Sequence, residues 1–130
     1  LVWEFWNECY EGRIRDRLEV RVPPVSVKVF RLTRDTQQPQ LLGTDMHITM
    51  GEVEIVQCRW DAARRTLSGQ AARPAGERGN VFVHAPANLR VANPRGYWVT
   101  KDARDKSLIV RCALALANGT AEWSLEFADL

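Results

Sequence analysis

Apolar and polar residues alternate with a period of two along much of the chain. The clearest runs lie at 18–22, 25–29, 53–55, 108–116 and 123–127. Successive side chains of a strand point to opposite faces of a sheet, so this period predicts half-buried strands with one face on a core. No segment carries a sustained apolar stripe with a 3.6-residue period, and the sequence therefore predicts essentially no long helix.

Turn residues divide the chain into about ten short predicted strands. These are residues 1–8, 13–22, 25–33, 40–50, 52–60, 65–71, 80–84, 88–92, 97–100 and a hairpin pair within 107–128. Asn118-Gly119 separates the last two runs and is a strong signal for a two-residue hairpin loop. Many short strands with regular turns predict an all-β fold, either a sandwich or a barrel, and we favour a domain of the sandwich type. A length of 130 residues suits a single domain over residues 1–130.

Charge and hydropathy narrow the classes of partner. The net charge is +2, and the 18 basic and 16 acidic side chains are interspersed, so we expect no nucleic-acid partner. No apolar run approaches the ~20 residues that span a bilayer, so we expect a soluble chain with no membrane partner. The chain begins at Leu1 inside a predicted strand, without a signal peptide. We therefore expect a piece of a longer protein, with any targeting signal in the missing N-terminal part and the compartment undetermined.

The three cysteines, Cys9, Cys58 and Cys112, form no disulfide framework by their number and spacing, and no Cys-x-x-Cys pair predicts a zinc site. Cys58 and Cys112 lie in apolar runs, where a buried free thiol is the ordinary expectation. One disulfide remains an open alternative.

Residues that would carry catalysis are sparse. The two histidines, His47 and His84, lie in different strand-like runs without a recognisable motif. Asp45, Glu52 and Glu54 stand near His47, but alternation with apolar residues makes them ordinary polar positions, and we predict neither a metal site nor a cofactor. The chain also lacks the nucleophile elbow, the phosphate loop and the dinucleotide glycine pattern. Most of the acidic residues alternate with apolar ones and are predicted on solvated faces.

Five tryptophans in a chain of this length raise the question of saccharide binding, because sugar C–H faces stack on exposed aromatic rings. Trp123 shares its face with apolar neighbours and is predicted in the core. Tyr97 and Trp98 follow a turn at 93–96, and their rings are predicted on opposite faces. Trp98 is the best candidate for an exposed stacking ring, and Tyr97 and Trp6 complete the candidate carbohydrate-binding set.

Several segments resemble the C-terminal β-domain of α-galactosidase (melibiase)-like glycoside hydrolases. The start VWEFWN at 2–7, followed by Gly12, resembles the family's V-x-[DE]-F-W … G pattern. VPPVSVKVF at 22–30 resembles its L-P-P-H-S strand, with Val25 in place of the usual histidine. PQLLGTDMHITMG at 39–51 is similar to its P-Q-L-L-[GS]-T-[DN]-R-H-I-T-Q-G segment, with methionine in place of arginine and glutamine. Weaker echoes are the WD at 60–61, the TLSG at 66–69 and the closing EWSLEF at 122–127, whereas 71–117 carries little.

The resemblance implies an antiparallel two-sheet β-sandwich of the immunoglobulin-like kind with Greek-key-like connections. It also implies that this domain follows a (β/α)8 catalytic barrel in a hydrolase of α-linked sugars, with galactosides as the expected substrates. The family's catalytic aspartates lie on the barrel, which takes ~250 residues, so this chain is expected to hold no catalytic residue and not to be an enzyme itself. The expected role is to pack against the barrel and support it.

Two functions follow as alternatives. As an accessory domain, the chain would contact the barrel through Trp3, Phe5 and Trp6, with Asp45 and His47 either hydrogen-bonding across the interface or, as we favour, anchoring a turn within the domain. As an autonomous carbohydrate-binding module, it would present aligned exposed rings to a glycan. An enzyme in its own right would need a cleft with paired acids, and nothing in the sequence favours it.

Overall fold

The computed structural model describes residues 1–130, and it confirms the all-β prediction with strands alone. The strands are β1 (Val2–Glu4), β2 (Cys9–Gly12), β3 (Phe30–Leu32), β4 (Gln40–Thr44), β5 (Ile55–Asp61), β6 (Thr66–Ala72), β7 (Glu77–Ala85), β8 (Leu89–Val91), β9 (Trp98–Lys101), β10 (Leu108–Leu116) and β11 (Thr120–Asp129). The molecule has no helix of the length and apolarity needed to cross a lipid bilayer.

Two four-stranded antiparallel sheets form the predicted sandwich, with strand orders β4-β7-β10-β9 and β5-β6-β11-β8. Non-consecutive strands are neighbours in both sheets, as Greek-key connections produce. Alternate residues of β10 and β11 point inward, and a core of 16 buried residues fills the space between the sheets. The period-two pattern at 108–116 and 123–127 therefore reports this core correctly.

A third sheet, which the sequence analysis did not predict, covers the outer face of β4-β7-β10-β9. It has the order β2-β1-β3 and encloses a second buried cluster: Leu1, Trp3, Tyr10, Leu42, Met50 and Phe82. Arg104, in the β9–β10 loop, fixes this layer by donating hydrogen bonds to the carbonyls of Tyr10 (2.6 Å) and Glu11 (2.7 Å). The sheet β4-β7-β10-β9 therefore lies in the middle of three layers and is here called the middle sheet. Its strand β7 is buried on both faces, and residues 81–83 are buried consecutively rather than alternately.

The predicted strand at 13–22 and most of the strand at 25–33 are wrong. Residues 13–28, here called the arm, run without strand structure, and no backbone group in them bonds to another backbone group. Regular pairing resumes only at β3. Alternation predicts a strand only where another strand offers its edge, and within this chain the arm has none.

The hairpin predicted at Asn118-Gly119 is also wrong, because β10 and β11 belong to different sheets. Gly119 takes a left-handed φ of 85°, and its carbonyl accepts a hydrogen bond of 2.9 Å from the Arg73 N–H rather than continuing a ladder. Both strands bury one apolar face on the same core from opposite sides. The turn therefore carries the chain across the sandwich as an arch.

In the segment between β4 and β5, the burial of two residues is the opposite of that predicted. Residues 40–50 were predicted as one strand, but β4 ends at Thr44 and a turn follows. Val53, predicted to face the core, is 61% exposed, whereas Glu54, predicted to face solvent, is fully buried. The Thr44 hydroxyl donates a hydrogen bond to the Glu54 carboxylate, which accounts for the inward position of the acid.

Gly69 in β6 is required by the ring of Trp123 on the neighbouring β11. A Cβ at position 69 would lie 2.5 Å from Cζ2 of Trp123 and 2.8 Å from the carbonyl oxygen of Gln57. We expect Gly69→Ala to lower the free energy of unfolding by about 2 kcal/mol, since neither the packed ring nor the backbone can move freely. Denaturant titration measures the loss. Ser68→Ala, at an exposed neighbour, is the control and should change stability by less than about 0.5 kcal/mol; equal effects of the two changes would contradict the steric argument.

Candidate functional site

The adjacent rings of Tyr97 and Trp98 point to opposite faces of the β9 edge, as alternation predicts. Tyr97 packs against the core between the two large sheets, and its hydroxyl donates a hydrogen bond of 3.1 Å to the carbonyl of Ser124. Trp98 is 63% exposed and lies on the opposite face of the sheet. The two residues therefore cannot form one aromatic platform, and Tyr97 has a structural role.

Trp98 borders a groove of about 280 Å³ on the outer face of the middle sheet. The groove is lined by Trp3, Glu8, Phe82, Trp98, Thr100, Ile109 and Arg111. Trp98 and Arg111 are directly opposite in the β9–β10 register, and the Arg111 guanidinium carbon lies 5.0 Å from the centroid of the indole ring. Arg111 Nε also donates a hydrogen bond of 2.9 Å to Oδ1 of Asn80, which holds the guanidinium in place.

Glu8 enters the same groove from the turn between β1 and β2. Its backbone has a left-handed φ of 48°, and its N–H donates to the Phe5 carbonyl at 3.3 Å. The buried Glu4 carboxylate organises this turn by accepting hydrogen bonds from the N–H groups of Asn7 (2.7 Å) and Trp6 (3.1 Å). The groove is thus formed jointly by the sandwich and by the sheet β2-β1-β3 with its turns, here called the N-terminal layer.

The aromatic residues predicted to contact another domain have different exposures. Trp3 is buried in the second cluster, with its ring centroid 4.4 Å from that of Phe82, so it cannot reach a neighbouring domain. Phe5 is half-buried and supports Trp6 in an edge-to-face contact of 4.9 Å. Trp6 alone among the three presents an exposed ring.

Asp45 and His47 anchor the turn after β4, in agreement with the favoured interpretation. The Asp45 carboxylate accepts hydrogen bonds of 2.6 Å from both the backbone N–H and the side-chain amide of Asn80. His47 Nδ1 lies 2.7 Å from the Thr49 hydroxyl. The two side chains bond to different partners within the domain, and no group of three His, Cys, Asp or Glu residues is arranged to hold a metal ion.

The sequence analysis missed a buried network around His84. This side chain has no solvent exposure, and its Nε2 lies 2.9 Å from the Ser107 hydroxyl. Tyr10 packs on the imidazole at 5.5 Å and donates a hydrogen bond of 2.8 Å to Asp105. Burial, followed by the positive charge of Arg13, lowers the pKa of His84 to about 4. The histidine is therefore neutral and serves the packing between the layers.

All three cysteines are free thiols, so the open disulfide alternative does not occur in the structure. Cys112 is buried as predicted, whereas Cys58 is exposed on the edge strand β5 and the prediction for it is wrong. Burial raises the pKa of the Cys112 thiol.

Comparison with known proteins finds no matching family model, curated protein or solved structure. Two surfaces of this chain bear on its function. One is the groove beside Trp98, which offers an aromatic ring with a hydrogen-bond acceptor and donor. The other is the arm, whose backbone groups have no backbone partner.

Proposed function

We propose that the chain is a non-catalytic accessory domain of an α-galactosidase-like glycoside hydrolase, which packs against a (β/α)8 catalytic barrel and supports it. The single observation that carries this proposal is the arm at residues 13–28. The sequence resemblance over 2–7, 22–30 and 39–51 supports the family proposed for the longer protein.

The arm has the alternating sequence of a half-buried strand, but its valines are exposed and its backbone is not paired. Val20 and Val22 are exposed by 43% and 49%, and Val27 by 63%. No backbone N–H or C=O from 13 to 28 bonds to another backbone group. β-Branched residues in alternation suit a half-buried strand, and a row of unpaired backbone groups is a template for pairing with another polypeptide. Both features favour the view that another domain of the longer protein covers the arm.

The bend of the arm supports the same conclusion. Val25 follows Pro23-Pro24 with a φ of 54°, a conformation that is unfavourable for a β-branched side chain, and its side chain is wholly exposed. Nothing in the chain offsets this strain by packing. Strained backbone persists where its surroundings fix it, and a catalytic domain seated on the arm would supply those surroundings.

Hydrogen–deuterium exchange tests the contact, with the 130-residue chain compared with the full-length product of the gene that encodes it. We expect the amides of the arm to exchange at the rate of unstructured peptide in the isolated chain, and to be protected in the full-length protein. Residues 93–96, an exposed turn, are the internal control and should exchange rapidly in both. Equal rates for the arm in the two proteins would overturn the proposed contact.

The identity of the enclosing enzyme has a separate test. The full-length product should hydrolyse p-nitrophenyl α-galactoside, and the 130-residue chain should not. Hydrolysis by the isolated chain would refute the non-catalytic role, and a full-length product inactive on α-galactosides would refute the family assignment.

The second candidate function is an autonomous carbohydrate-binding module. The exposed Trp98 ring and its polar groove favour it, and the two functions are compatible because the arm and the groove are formed by different residues.

A further inference from the structure

We infer that the groove beside Trp98 binds a neutral hexopyranoside, with Trp98 as the stacking ring and with Glu8 and Arg111 as the hydrogen-bonding groups. This site does not depend on the proposed barrel contact, since every group that it uses belongs to this chain.

The Trp98 ring is held by a neighbouring side chain and is largely exposed. One face of Trp98 is met by the Arg111 guanidinium at 5.0 Å, and the residue nevertheless remains 63% exposed. An indole face carries partial negative charge, and the C–H bonds on one face of a pyranose carry partial positive charge. The guanidinium fixes the ring before any ligand arrives, which reduces the side-chain entropy that binding would cost.

The polar groups of the groove match the hydroxyls of a sugar. The Glu8 carboxylate accepts hydrogen bonds and the Arg111 guanidinium donates them, so that adjacent sugar hydroxyls can act as donor and acceptor in turn. Neither side chain forms an ion pair within the chain. The Thr100 hydroxyl, on the same edge strand as Trp98, lies at the wall of the groove.

The charges of the groove favour an uncharged ligand. Glu8 and Arg111 contribute one negative and one positive charge to the same groove, so an anionic sugar would gain from the arginine and lose to the glutamate. A volume of about 280 Å³ suits one or two sugar rings rather than a long chain.

Titration of the ¹⁵N-labelled 130-residue chain with methyl β-D-galactopyranoside and methyl β-D-glucopyranoside, at concentrations up to tens of millimolar, tests the inference. We expect at least one glycoside to shift the indole N–H signal of Trp98 in a saturable manner. Trp98→Ala should weaken the binding at least about tenfold, as loss of an aromatic contact commonly does. Trp98→Phe, which keeps a ring, should weaken it less.

Two further variants keep the outcome interpretable. Arg59→Ala removes an exposed side chain of β5 on the other large sheet, outside the groove, and should leave the affinity unchanged. Glu8→Gln should weaken binding without changing the thermal stability. Sodium galacturonate is titrated in parallel as a charged sugar. The inference is overturned if neither glycoside shifts the Trp98 signal, if only sodium galacturonate does so, or if Arg59→Ala weakens binding as much as Trp98→Ala.

Discussion

Glu4→Ala is expected to lower the free energy of unfolding by about 3 kcal/mol, because it removes a buried carboxylate that accepts four hydrogen bonds. The Glu4 carboxylate is fully buried and accepts hydrogen bonds from the N–H groups of Trp6 and Asn7, from the Asn7 side-chain amide at 2.6 Å and from Val29 N–H at 3.4 Å. These donors come from the β1–β2 turn and from the residue that precedes β3. The Glu4 side chain therefore links the β1–β2 turn to the start of β3.

Denaturant unfolding of Glu4→Ala beside Glu122→Ala provides the measurement. Glu122 lies exposed on β11, and its removal should change stability by less than about 0.5 kcal/mol. Burial alone would raise the pKa of Glu4, but the hydrogen bonds from Asn7, Trp6 and Val29 outweigh it and hold the pKa below its usual value. The stabilisation is thus present above pH 4.5 and is lost as the pH falls through the lowered pKa. Equal stability of the two variants at neutral pH would show that water replaces the carboxylate without cost.

Acidification from pH 7 towards pH 4 is expected to destabilise the domain by up to about 3 kcal/mol through His84 alone. The pKa of His84 is lowered to about 4 by burial and then by Arg13, against 6.5 for an exposed histidine. Since the unfolded chain takes up the proton more readily, the contribution is complete above pH 6.5 and is lost progressively as the pH falls towards 4. The buried Nδ1 has no hydrogen-bond partner, so nothing in the domain would stabilise the imidazolium at that atom.

The difference in unfolding free energy between the wild-type chain and His84→Gln, measured at pH 7 and at pH 5, isolates this effect. The wild type should lose stability over that interval and the variant should lose less. His47→Gln is the matched control, because His47 lies in the turn after β4 and is partly exposed. A wild-type profile parallel to that of His84→Gln would mean that the histidine is protonated in the folded domain.

The sequence predicted the sandwich where the alternation of residues reflects a real core, and failed where alternation has another cause. Residues 108–116 and 123–127 alternate because each strand faces the core between the two large sheets. The arm alternates equally well, yet its valines are exposed, because no partner strand lies beside it. Hydrophobic periodicity reports the face that a strand would bury, and it contains no information on which strand is its neighbour.

The same limit explains the hairpin error at Asn118-Gly119. A left-handed glycine suits both a hairpin and an arch, and only the tertiary choice of sheet separates the two. The third layer had a weak signal in the consecutive apolar residues 81–83, which indicate a strand buried on both faces.

Of the residues that line the groove, the sequence pointed only to Trp98. Trp98 was identified correctly as an exposed ring, because it follows a turn and stands out of phase with Tyr97. Glu8 and Arg111 were not identified, since they approach Trp98 from a turn and a strand that are distant from it in sequence. Arg111 had one available sign: it is a charged residue within the apolar run of β10, at a position that faces away from the main core.

The middle sheet has a consequence for how the molecule comes apart. Residues 80–85 of its strand β7 are buried on both faces, between the main sandwich core and the N-terminal layer, so the amides of β7 should be the last to open. The N-terminal layer covers only one cluster and is held by a few long-range contacts, such as Arg104 to the Tyr10 carbonyl. If this layer detaches first, the outer face of the middle sheet exposes the apolar side chains of Leu42 and Phe82 while the rest of the domain is still folded. Aggregation of this protein would then begin from a nearly native state rather than from the unfolded chain.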